Sequence, residues 1–177
     1  MANHQQIMAS RLRESTEELL ESIAIAAWVV DRPTAGAAGR QIASVIGFNG
    51  KQARGSLTVR STMDFFADTH PTAKTTRGVD PDAIVDWASE FSNQLLGRFK
   101  NKMLAHGLDF QVGLPVTICG ENLIESSVGV DGVVSYQFRT SGHVLCVTFV
   151  GRLQADVELS AGPMGRIAAR PGKPIDL

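Results

Sequence analysis

The chain has 177 residues, 44% of them hydrophobic, which suits one well-buried core in a single domain. Its 17 Lys and Arg nearly balance 18 Asp and Glu, for a net charge of −1. With no basic cluster to neutralise phosphates, nucleic acid is excluded as the main partner. The longest apolar run, Ile23 to Val30, is far too short to cross a bilayer, and the polar N-terminus lacks the apolar core of a signal peptide. Cys119 and Cys146 lie far apart in apolar, strand-like contexts without CxxC spacing. They read as buried thiols in a reducing compartment, the cytoplasm.

Taken in order, residues 5–27 read as a first helix, with Ile7, Leu12, Leu19, Leu20 and Ile23 apolar among Arg and Glu. Ala26 to Asp31 reads as a short strand, followed by a Pro33–Gly39 loop. Gln41 to Phe48 is dense in apolar and small residues, as a buried strand is. Asn49-Gly50 signals a turn, with Gln52–Gly55 extending the loop, and Leu57 and Val59 alternate with polar residues, so the two strands form a hairpin. Thr62 to His70 is expected as a short helix with Phe65 and Phe66 facing the core, and Pro71 to Asp80 as a loop. Phe110 to Cys119 is extended but broken by Gly113 and Pro115. Val133 to Arg139 and Val144 to Leu153 form a second hairpin around Ser141-Gly142, which Val157 to Leu159 would continue. The predicted fold is α+β, a mainly antiparallel sheet with helices packed against it. A single domain is expected over 1–165, with a flexible C-terminal tail over 166–177.

The stretch with the most unusual polar residues is Asp82 to His106. Ile84, Trp87, Ala88, Phe91, Leu95, Phe99 and Met103 recur at spacings of three and four, the period of an amphipathic helix. Pro81 suits its first turn and Gly107 its C-terminal cap. At about 100° per residue, Asp86, Glu90, Asn93 and Gly97 share a sector roughly 60° wide opposite the apolar stripe. That row is poorly chosen for helix stability. Asp86 and Glu90 are like charges at i,i+4, which costs a few tenths of a kcal/mol. Asn93 is a mediocre helix former, and Gly97 costs about 1 kcal/mol relative to Ala. Such a face is either a solvated surface or a docking face where Gly97 permits close backbone approach.

Other chemistries find little support. His4, His70, His106 and His143 are scattered, with no HExxH motif or Cys/His cluster to hold zinc. Gly47 to Lys51 lacks the spacing of a P-loop and the Ser/Thr that follows its Lys. There is no GxSxG, and neither cysteine has a neighbouring base.

Glu90-x-x-Asn93-x-x-x-Gly97, preceded by Asp86 and followed by Lys100, resembles the signature helix of the CheX/CheC/FliY phosphatases of bacterial chemotaxis. Ile46 to Gly50 with Gly55 to Val59 is similar to the family's first hairpin, and Leu114 to Asn122 to the strand after the signature helix. Only one such pattern occurs, as in one-site CheX proteins. At Gln94 the chain has a polar residue where the family usually has an apolar one, and Trp87, Arg98 and Phe99 are bulkier than the pattern. The resemblance implies a CheX-like fold, a homodimer, and a phosphatase acting on the aspartyl phosphate of a CheY-like response regulator. It assigns Asn93 to orienting the attacking water and Glu90 to pairing with the receiver's active-site Lys. Asp86, Gly97 and Lys100 would contact the partner. No cofactor of its own is implied, the Mg²⁺ belonging to the response regulator. A non-catalytic dimeric adaptor that kept the docking helix is the alternative. A flagellar-switch component of the FliY kind would need further domains for which 177 residues leave no room.

Overall fold

The structure, a computed structural model, describes residues 2–30, 39–73, 78–126, 132–154, 157 and 159. Its strands are β1 (Trp28–Val29), β2 (Arg40–Asn49), β3 (Ala53–Thr62), β4 (Gln111–Glu121), β5 (Val133–Arg139) and β6 (Val144–Leu153). They form one sheet in the order β1-β5-β6-β3-β2-β4, and every neighbouring pair is antiparallel. The helices are α1 (Ala2–Ser22), α2 (Met63–Thr69) and α3 (Pro81–Leu104).

Strand alternation sets which face is covered. The registers place Ile46 beside Leu57 and Leu57 beside Phe149, with Val59 beside Val147, so these buried side chains share the face under the helices. Phe48 stacks on Phe149 at 5.1 Å between ring centroids, and Phe99 of α3 lies 4.9 Å from the same ring. At the other end of the core Phe65 and Phe66 of α2 meet Phe91 edge-on at 6.0 Å. Thr62 starts α2 by accepting the Phe65 N–H. The opposite face is polar near its centre, where Thr148 donates to Glu125 and shares a hydrogen bond with Ser135.

Both expected hairpins form, β2–β3 and β5–β6. Several details differ from the expectation. The first helix ends at Ser22 rather than 27. Ala24 takes a left-handed φ of 60°, with Ala24 N–H bonded to Glu21 O and Ile25 N–H to Leu20 O. This is a Schellman ending, usually built on glycine, so no glycine announced it. Residues 110–119 are not broken. Gly113 and Leu114 are absorbed in a bulge, because β4 spends one residue more than β2 between the Ile46–Pro115 and Phe48–Val112 pairs. β3 begins at Ala53, inside the expected loop. Finally, Cys119 is exposed and only Cys146 is buried, since among the described residues β4 is an edge strand paired with β2 alone. Burial pushes the Cys146 thiol above its ordinary range, although the Arg60 charge works against it. Val157 and Leu159 are buried without forming a strand, and the tail expected over 166–177 lies outside the described residues.

Holding an alanine in the left-handed region costs about 1–2 kcal/mol, whereas glycine adopts it freely. Ala24→Gly is therefore expected to raise the unfolding free energy by about 0.5–1 kcal/mol once glycine's larger unfolded entropy is subtracted. Urea unfolding of the two proteins measures this, and a destabilised variant would contradict the assignment.

Candidate functional site

Helix α3, 24 residues long, is the longest helix among the described residues, and its sequence shows why it forms. Asp80 accepts the Asp82 N–H, and Pro81 occupies the first turn, where no backbone donor is needed. At the far end Gly107 has φ 81°, Gly107 N–H bonds Leu104 O, and Leu108 N–H bonds Met103 O. That is again a Schellman motif, closed by the buried Leu108 and Met103 side chains. Between the ends, Ile84, Trp87, Phe91, Leu95, Leu96, Phe99 and Met103 are all buried. Each such side chain contributes about 1.5–3 kcal/mol, which outweighs the small penalties on the outer face.

Hydroxyls complete the seating. Ser92 Oγ lies 2.7 Å from Ser44 Oγ of β2, and Ser89 Oγ lies 2.6 Å from Thr117 Oγ1 of β4. Thr117 in turn donates to Ser44. These short side chains let the helix approach the sheet closely while leaving no buried hydroxyl unsatisfied. On the other flank the Trp87 indole donates to Thr69 of α2 at 3.0 Å, and Arg98 donates to Ser22 of α1 at 3.1 Å. Lys102 sits 2.7 Å from Glu18 and 3.8 Å from Glu14 of α1. Burial raises the Glu14 carboxyl, but hydrogen bonds from Arg11 and Ser10 and the Arg11 and Lys102 charges together hold it below its ordinary value. The helix is gripped from both sides.

What remains is the outward face. Asp86, Glu90 and Asn93 are exposed and Gly97 is half-exposed, so the predicted row is a continuous strip of surface. Among the described residues the side chains of Asp86 and Asn93 make no hydrogen bond or ion pair. Glu90 Oε1 accepts from Gln94 Nε2 at 2.9 Å. A Cβ added to Gly97 would meet nothing within 4 Å, so the fold itself does not require glycine there. Lys100 turns to the β4 flank, its ammonium 3.2 Å from Asp109 Oδ1, and borders the strip rather than lying in it. Leu104, 47% exposed, continues the strip beyond Gly97. It went unnoticed in the sequence because it falls outside the polar pattern, as did the Gln94–Glu90 contact.

Chemically, the strip offers a free carboxamide that both donates and accepts, and a carboxylate with one oxygen unengaged. Both are carried on a helix that cannot easily shift. Among the described residues no group of three or more His, Cys, Asp or Glu is placed to hold a metal ion. No helix there is long and apolar enough to cross a membrane, which says nothing of β-barrels.

Fold and strip define a small α+β domain that presents one rigid polar helix face to solvent. Residues 42–138, more than half of the chain, match the family model of the chemotaxis phosphatase CheX, and the chain belongs to that family. Solved structures share the fold. The chemotaxis protein CheX from Vibrio vulnificus aligns with a TM-score of 0.68 at 17% identity, over 82% of this chain and 96% of that one. A putative chemotaxis protein from Desulfovibrio vulgaris Hildenborough gives 0.68 at 20% identity, over 82% and 96%. The Borrelia burgdorferi CheX–CheY–BeF3–Mg²⁺ complex gives 0.65 at 17% identity, over 81% and 96%. A comparison with curated protein sequences finds no match.

Because the space at Gly97 is open, Gly97→Ala is expected to stabilise the fold by about 0.5–1 kcal/mol through helix propensity alone. Thermal or urea unfolding reads this directly, and a loss of stability would show that glycine serves the chain's own packing after all.

Proposed function

We propose that this protein hydrolyses the aspartyl phosphate of a CheY-like response regulator in the cytoplasm, acting as a homodimer. One observation carries the reading. In a CheX-family chain, Glu90, Asn93 and Gly97 form an exposed strip that the fold does not use and pays for in helix stability. The Borrelia burgdorferi neighbour was solved with CheY, which supports a receiver domain as the partner here.

The reaction asks for little covalent chemistry from this chain. Water oxygen attacks phosphorus, the bond from phosphorus to the aspartyl oxygen breaks, and carboxylate and inorganic phosphate leave, the water proton ending on phosphate. The receiver contributes its bound Mg²⁺, which neutralises phosphoryl charge, and this chain needs no cofactor of its own. Its work is positioning and electrostatics. Asn93 is no general base near neutral pH, but its carboxamide oxygen and N–H hold a water in line with the scissile bond. Glu90 pairs with the receiver's active-site ammonium, a charge-assisted contact that fixes the depth of insertion. Asp86 extends the contact one turn earlier, Gly97 lets the receiver backbone come close, and Lys100 borders the contact beside β4.

The homodimer is supported by β4. This edge strand exposes Leu114, Val116 and Ile118 at 89%, 63% and 50%, an apolar row suited to burial against a second copy. Light scattering is expected to give twice the chain mass for the native protein and the chain mass for Val116→Asp. A monomeric native protein would contradict the dimer.

Adding the protein to a phosphorylated receiver from the same cell is expected to accelerate loss of phosphate. Asn93→Ala should remove on the order of 10²–10³ of that acceleration while binding persists, and Glu90→Ala should weaken both. Undiminished turnover in Asn93→Ala would overturn the assignment of Asn93. Tight binding without turnover in the native protein is the behaviour of an adaptor and would overturn the phosphatase reading.

A further inference from the structure

Gln94 is the one group on α3 that donates to Glu90. The carboxamide Nε2 reaches Glu90 Oε1 at 2.9 Å across one helical turn. The neighbours one turn either way favour that contact. Asp86, four residues earlier, is a like charge that drives the Glu90 carboxylate toward the helix C-terminus, where Gln94 stands. Arg98, four residues after Gln94, is engaged with Ser22 at 3.1 Å and so does not draw either side chain away. Gln94 itself is half-buried, whereas Glu90 is exposed. The more restrained side chain holds the freer one.

From this geometry we infer that Gln94 is a positioning residue for Glu90, holding one carboxylate oxygen so that the other faces the ammonium of an incoming receiver. The inference rests on the docking role proposed for Glu90. An exposed glutamate is rich in rotamers, and a contact that must first freeze it binds more weakly than one that meets it already set. Gln94 does this without neutralising the carboxylate, since a carboxamide carries no charge. A cation at the same place would spend the attraction intended for the partner.

The test uses the full chain, with affinity read by titration against a receiver loaded with beryllofluoride and Mg²⁺, and stimulated dephosphorylation read separately on the phosphorylated receiver. Gln94→Met keeps length and helix propensity but removes the donor. It is expected to weaken affinity on the order of fivefold, with the loss falling on affinity and not on the rate at saturation. In a Glu90→Ala background the same substitution should add nothing, because the two residues act through one contact. Gln94→Lys should weaken affinity more than Gln94→Met, as its ammonium competes with the receiver's for Glu90. Unchanged affinity in Gln94→Met, or an equal loss with and without Glu90, would overturn the inference. Binding without turnover in the native protein would overturn the phosphatase reading alone, since the affinity cycle would still report on Gln94.

Discussion

The seating of α3 on the sheet is the constraint from which the rest follows. Seven large apolar side chains face the core, and the Ser44–Ser92 and Ser89–Thr117 hydroxyl contacts bring helix and strands close together. The two flanks are tied to α1, to α2 and to the loop before β4 by Arg98, Trp87 and Lys100 respectively. Rotating the helix by even one residue, about 100°, would bury Glu90 or Asn93 and expose Phe91 or Leu95. Burial of a charge without a partner costs more than the chain's small margin of stability allows. The polar strip is thus fixed in place by the opposite side of its own helix.

Fixation has chemical value. In the role proposed for Asn93, aiming a water with a neutral amide works only if the amide does not wander, because misplacement by an ångström forfeits much of the gain from proximity. A helix braced on both flanks supplies that rigidity more surely than a loop. The conformational freedom that remains lies in side chains at the strip, above all Glu90, and there Gln94 restrains it. A hierarchy results: core packing sets the helix, the helix sets Asn93, and a neighbour on the same helix sets Glu90.

Much of this was legible in the residues. The three-four spacing of Ile84 through Met103 gave the buried face of α3, and Gly107 marked its end, because amphipathic period and left-handed glycine are local signals. The Asn49-Gly50 turn and the strands around Ser141-Gly142 located both hairpins for the same reason. What stayed hidden is non-local or unannounced. Nothing near β4 shows that it pairs with β2 rather than with β5, and so lies at an edge with Cys119 exposed. Ala24 ends α1 in a conformation that alanine rarely adopts. Lys100 sits beside the polar row in sequence but finds Asp109, nine residues on, only after the chain turns back. The row itself was visible; that its amide is unpartnered, while its glutamate is held by Gln94, required the side chains in space.

The most direct test of the central claim is a nuclear magnetic resonance titration of the isotope-labelled protein with receiver carrying beryllofluoride and Mg²⁺. The Asn93 side-chain amide and the backbone amides from Asp86 to Gly97 are expected to shift or broaden first and most, with the β4 edge little changed. Perturbation centred on another face, with the Asn93 amide silent at saturation, would contradict it.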